Sequence, residues 1–343
     1  MSEPLTPAGA APIAPDTYDS DSWMSRLLAS GAGRNLGLII ALLVLFAIGW
    51  ITAGSRFTDA GNLITIVRYA SIVGVISIGM TFVIIGGGID LSVGSVMGLS
   101  SVVATLGVVQ VFAGQTSWVV MVLIALAVGT IAGFLNGVVI AYGNVVAFMA
   151  TLAMLVAARG FAEILSVRRT LIVNVQGYLD FTRSNIAGIP ILIWIFVLVA
   201  VLGWLLLNRT TFGRRTVAIG GNREAARLAG LKVKRHTMYL YGLSGLTAGI
   251  AGVMMMGRTG VGTSTHGTLY ELDVIAAVVV GGTLLIGGRG SIVGTVLGVL
   301  IFATLVNIFT QNNLDTSVQA VTKGAIIVVA VLLQQRFAAR GRR

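Results

Sequence analysis

The chain is 343 residues long, 56% of them hydrophobic and only 10% charged, with a mean hydropathy of +0.95. Soluble domains carry about a quarter charged residues, so soluble folds are excluded; an all-α, polytopic integral membrane protein is expected, with room for about ten crossings of roughly 20 residues each. The net charge of +11 sits between apolar runs and at the chain ends, as cytoplasmic loops require, so nucleic acid is not the expected partner and membrane lipid is.

Residues 1–33 hold four of the five prolines (Pro4, Pro7, Pro12, Pro15) among Ala, Ser and Asp, a mix too polar to order itself. They are expected to form a disordered cytoplasmic tail without the layout of a signal peptide, because Asp16, Asp19 and Asp21 precede the first apolar run. The stretch Trp23 to Leu28 is short enough to lie along a membrane surface. Ten spans follow from window hydropathy, at about 36–53, 69–87, 91–112, 118–140, 145–165, 190–207, 237–257, 272–287, 291–310 and 318–334. They make a transmembrane domain over 34–335, closed by a basic tail over 336–343. Around 80–95 and 280–295, glycines crowd the run, and a re-entrant segment is the alternative to a clean turn.

The loop from Arg209 to Arg235 holds eight of the 23 basic residues, and Arg336, Arg340, Arg342 and Arg343 add four at the C-terminus. Both regions are assigned to the cytoplasm. Six spans before the loop and four after it then put both termini inside. Arg168, Arg169 and Arg183 in the outer loop depart from the rule. Pairs spaced by four, Gly129/Gly133 and Gly245/Gly249, and then Gly290, Gly294 and Gly298, put small residues on one helix face and predict closely packed helices. Gly88–Gly98 (GIDLSVGSVMG) and Gly288–Gly298 (GRGSIVGTVLG) echo one another at an offset of 200. The echo points to two helix breaks, of the kind found in repeat-built transporters.

Ionisable groups at membrane depth are costly and face protein or water. Asp90, beside Ser92 and Ser95, either caps the next helix or lines a translocation path, as Asn307 also could. Arg159 and Glu163, four apart, are expected to pair. Lys323 is expected to snorkel to headgroups. Glu271 and Asp273 open a span on the outer side, where they cap the helix or meet an extracytoplasmic protein. No cysteine is present, and His236 and His266 fall in separate loops, so neither catalytic nor metal residues are assigned.

Within the basic loop, Asn222 is a good N-cap, Glu224 puts negative charge in the first turn, Arg223 to Ala229 favour helix, and Gly230 suits a helix end. A short capped helix with Ala225, Ala226 and Leu228 as its mildly apolar surface is expected. It suits docking of a cytoplasmic partner; the alternative is a solvated loop that only fixes topology.

The stretch Thr211–Gly245, with AIGGN, AARLAG and LSG, followed by AGVMM, resembles the coupling region of permeases of ribose-, xylose- and galactoside-type bacterial ABC importers. So do GMTFVIIGGGIDLSVGSVMGLS (Gly79–Ser100) and YELDVIAAVVVGGTLLIGGRGSIVGTVLG (Tyr270–Gly298). The resemblance covers about 36–334. It implies a ten-helix permease in the bacterial plasma membrane, paired with a second permease copy or paralogue. A cytoplasmic ABC ATPase and an extracytoplasmic sugar-binding protein complete the implied assembly. The family's coupling helix falls on Asn222, Arg223, Glu224, Ala225, Ala226, Arg227, Leu228 and Gly230. The chain has no phosphate-binding loop, and GAGRNLG at Gly31–Gly37 lacks the lysine and hydroxyl such a loop needs. ATP and magnesium are therefore expected on the partner, and this subunit is expected to be non-catalytic. The rival readings are an ion-coupled secondary transporter, which would need a mid-membrane carboxylate relay, and a branched-chain amino acid permease.

Overall fold

A computed structural model describes residues 31–340. The stretch Trp23 to Leu28, most of the expected tail over 1–33, and the last three residues of the C-terminal tail lie outside the described residues. Long apolar runs make long helices, and glycine-rich runs make the turns between them. The chain opens with α1 (Gly31–Ala53) and the single turn α2 (Ser55–Thr58), then α3 (Ala60–Ile85), whose first turn is capped by Asp59 Oδ2 accepting from Gly61 N at 2.9 Å. It continues through α4 (Val93–Ala104), α5 (Gly107–Gln115), α6 (Val119–Ala141) and α7 (Ala147–Ser166). A connection carrying β1 (Leu171–Ile172), α8 (Gln176–Arg183), β2 (Asn185–Ile186) and β3 (Ile189–Pro190) leads to α9 (Ile191–Arg209). After it come α10 (Thr211–Gly221), α11 (Arg223–Leu228), α12 (Val233–Thr259), β4 (Val261–Gly262), α13 (Tyr270–Val280), α14 (Ile292–Gln311) and α15 (Thr316–Arg340). The two small antiparallel pairs, β1 with β4 and β2 with β3, close connections at the end of the bundle away from α10 and α11.

Among the described residues, seven helices are long and apolar enough to cross a membrane, or eight if α4 and α5, bent by 57°, form one broken span. The chain is thus a polytopic all-α membrane protein, in which the expected count of ten is approximate. Two runs differ from full crossings. The run 91–112 bends between α4 and α5. The run 272–287 contains α13, which is only 11 residues, or about 16 Å at 1.5 Å per residue against a hydrocarbon core of roughly 30 Å. In place of a second helical half, the connection after β4 runs back into the bundle along α4 as consecutive turns, with the backbones of Ser264 and His266 beside Gly98 and that of Gly267 beside Gly94. At its other end, α13 stops at glycines with left-handed backbone, Gly282 at φ 87° and Gly287 at φ 88°.

Helices α3 and α12 are the buried centre, while α1, α7 and α9 present apolar side chains outward, as a lipid-facing periphery must. The glycine pairs meet each other: Gly129 on α6 lies against Gly245 and Gly249 on α12, where any Cβ would strike backbone. This close approach supplies the packing that apolar attraction cannot provide between helices in lipid.

Two side-chain expectations are corrected. Arg159 does not pair with Glu163; its guanidinium donates to the carbonyls of Ser264 and His266, and Glu163 pairs with Arg168 at 3.2 Å. The inward-running connection leaves those carbonyls without a ladder, and a buried carbonyl needs a donor. Lys323 does not snorkel; its Nζ lies 2.9 Å from Asp273 Oδ2.

Candidate docking site and helix breaks

The basic loop folds as two short helices ahead of α12. Thr210 Oγ1 accepts from Gly213 N at the start of α10, and Asn222 Oδ1 accepts from Ala225 N at 2.9 Å at the start of α11. Gly230, at φ 81°, turns the chain out of α11. Glu224 and Arg227 form an exposed ion pair at 2.6 Å, and that hydrogen bond holds the Glu224 carboxyl below its usual range. The expected apolar surface needs one change. Ala226 is buried against Ile219 and Val233, so it pins α11 to the protein. Leu228, 77% exposed, faces outward with Arg223, Glu224, Ala225 and Arg227. A further tie escaped notice in the sequence: Thr216 Oγ1 on α10 bonds His236 Nε2 on α12 at 2.8 Å, and Phe212 packs on the same ring. A His four residues into a helix carries no signal of a partner on the preceding helix.

The end of α10 meets both glycine turns at one point. Gly288 N donates to Ile85 O at 2.8 Å, joining the end of α3 to the loop before α14. A Cβ on Gly220 would overlap Ile85 O and approach Gly288 N at 2.7 Å. One on Gly287 would come within 2.8 Å of Gly220 O and 3.1 Å of the Gly87 Cα. Close by, Thr81 Oγ1 on α3 bonds Thr295 Oγ1 on α14 at 2.7 Å. The turn that ends α3 and the loop before α14, where the two echoing stretches begin, therefore touch, and Gly220 near the end of α10 is wedged between them.

The first break, residues 86–92, is held by a buried polar network. Asp90 Oδ1 accepts from Ser92 N at 3.0 Å and Ser92 Oγ at 2.6 Å, and Oδ2 accepts from Ser244 Oγ at 2.8 Å. Asn136 Nδ2 donates to Ser92 Oγ at 2.9 Å, and Tyr241 Oη donates to Ile89 O at 3.3 Å. Asp90 thus caps the turn entering α4, with Ser92 in the N-cap position, while cross-linking α4 to α6 and α12. Ser95 Oγ donates back to Ser92 O at 2.8 Å. Asn307 does not join this group: it exchanges hydrogen bonds with Asn62 at the other end of the α3–α14 pair, at 2.7 and 3.0 Å.

Glu271 and Asp273 both lie in the first turn of α13, where carboxylates suit the helix dipole. Because that turn sits inside the bundle, Asp273 is buried, accepting from Tyr69 Oη at 3.1 Å and pairing with Lys323. Half-buried Glu271 reaches toward Gly94, the second residue of α4. The structure therefore moves Glu271 toward the Asp90 group rather than to an outer rim.

Comparison with known proteins gives this architecture a lineage. Residues 62–331 match the family model described as branched-chain amino acid transport system / permease component. The chain is 39% identical over 313 residues to the ribose import permease protein RbsC of Bacillus subtilis (strain 168), covering 91% of this chain and 96% of that one. It is 38% identical over 302 residues to the Escherichia coli (strain K12) ribose import permease protein, covering 87% and 92%. Against the xylose transport system permease protein XylH of Haemophilus influenzae the identity is 32% over 355 residues, covering 86% and 94%. No solved structure matches the chain. With the family model spanning most of its length and these relatives aligned nearly end to end, the chain belongs to the permease-component family of branched-chain amino acid transport systems.

Proposed function

We propose that this protein is the membrane-spanning subunit of an ATP-driven importer that carries a monosaccharide or related polyol across the bacterial plasma membrane, with both termini and the α10–α11 loop in the cytoplasm. The similar ribose and xylose permeases support a sugar as cargo over the amino acids in the family's description. The observation that carries the mechanism is the wedge of Gly220 between Ile85 and Gly288. A cytoplasmic ATPase engages the outward face of α11, namely Arg223, Glu224, Ala225, Arg227 and Leu228. Asn222, Ala226 and Gly230 hold that helix in place. ATP and magnesium belong to the ATPase, so this subunit supplies movement and no bond-breaking chemistry.

When the ATPase dimer closes, displacement of α11 passes through Gly220 and Gly221 to the turns that end α3 and precede α14. Packed helices respond by discrete rocking rather than gradual bending, which opens the path alternately to either side. Asp90, Ser92 and Ser95 turn onto one another, so they stiffen the wall of the path, and half-buried Glu271 approaches the start of α4 beside them. A second copy of this chain, or a paralogue, completes the path, and a sugar-binding protein delivers cargo from outside. Reconstitution with the cognate ATPase and binding protein tests this. Uptake of a labelled pentose or hexose is expected to require ATP and to persist when ion gradients are collapsed. Uptake without the ATPase, driven by an ion gradient, would refute the assignment, and uptake of leucine in place of sugar would correct the cargo.

A further inference from the structure

Beside the outward face of α11 the protein has a second, concave surface. A cavity of about 490 Å³ opens between α11, the turn joining α6 to α7, and the first helix break. Its floor is apolar, with Val83, Ile140 and Leu240, and it reaches the Gly86–Gly88 turn. Its rim is cationic. Arg227 is already bound to Glu224, but Arg223 and Lys234 enter no ion pair among the described residues. Lys234 Nζ is held 5.9 Å from the centroid of the Tyr142 ring, which orients it without neutralising it.

We propose that this cavity is a socket for a segment of the cytoplasmic ATPase that presents a carboxylate to Arg223 and Lys234 and an apolar side chain to the floor. The inference rests on the reading of α11 as the ATPase-docking helix. Three observations favour this occupant. The mouth shares Arg223 with α11, so a partner seated on that helix covers it. The two free rim charges call for an anionic group. The volume suits a few side chains, as ligand-sized clefts do. An occupant would touch Gly86–Gly88 directly, two residues before Asp90. The ATPase would then hold the first break at two places, through Gly220 and through the socket.

The test uses the complex of full-length chain and cognate ATPase in proteoliposomes. Arg223→Glu with Lys234→Glu is expected to weaken ATPase binding at least tenfold. Arg214→Glu with Lys232→Glu, the same charge change elsewhere in the loop, is expected to weaken it less than twofold. Equal weakening by both pairs would overturn the proposal. Because the chain has no cysteine, Lys234→Cys carrying a benzophenone maleimide reports the occupant by mass spectrometry. Crosslinks to an ATPase peptide containing Asp or Glu are expected. Adducts found only on anionic phospholipid, or an ATPase left unlabelled while bound, would overturn the socket. If the unaltered chain binds no ATPase at all, it is the docking role of α11 that fails.

Discussion

Ala225 and Ala226 are neighbours with opposite surroundings, the first exposed and the second buried against Ile219 and Val233. A charge at 226 has no partner there and its burial is costly. Ala226→Glu is therefore expected to loosen α11, seen as rapid proteolysis between α10 and α12. Ala225→Glu leaves the loop protected and lowers ATPase affinity about tenfold, a loss of ~1.4 kcal/mol. Equal protease sensitivity of the two variants would show that α11 is not pinned as described. Sequence spacing failed at this scale where backbone competed for the side chain. Arg159 and Glu163 do share a helix face, but two loop carbonyls, more than 100 residues away, take the arginine.

At the scale of elements, apolar runs marked the helices and Asn222, Glu224 and Gly230 marked α11, because these signals are local. What stayed hidden is the run of turns packed beside α4. Thr263 to Leu269 read as an ordinary polar loop, and only the Gly94 and Gly98 face of α4 lets that backbone enter the bundle. The echo of Gly88 and Gly288 was legible as a pair of breaks, but not as breaks in contact, since their meeting depends on Gly220 from a third segment. Gly220→Ala is expected to destabilise the protein by about 1–3 kcal/mol, the usual range for an overpacked methyl. It is also expected to lower sugar moved per ATP hydrolysed. Gly221→Ala, with open space at its Cβ, is expected to alter neither. Thermal unfolding and the coupling ratio, measured on both variants in the same liposomes, decide the point; matching behaviour would mean that the junction is not tight.

For the whole molecule the question is which parts move together. Ile85 O, Gly288 N and the paired hydroxyls of Thr81 and Thr295 fasten the ends of α3 and α14 into one body at the α10 end. At the far end Asn62 fastens the same two helices through Asn307. Pinned at both ends, the pair is expected to rock as a unit, with the motion falling instead between it and the peripheral helices. Cysteine scanning can test this, since the chain has none of its own. Thr81→Cys with Thr295→Cys replaces hydroxyls in hydrogen-bond contact at 2.7 Å, which brings the two thiols together, and oxidation is expected to join them. ATP-driven uptake should then remain within about twofold of the reduced form, a change below ~0.5 kcal/mol. Uptake abolished by oxidation and restored by reduction would mean that α3 and α14 separate in every cycle. The displacement of α11 would then have to open the junction rather than carry it.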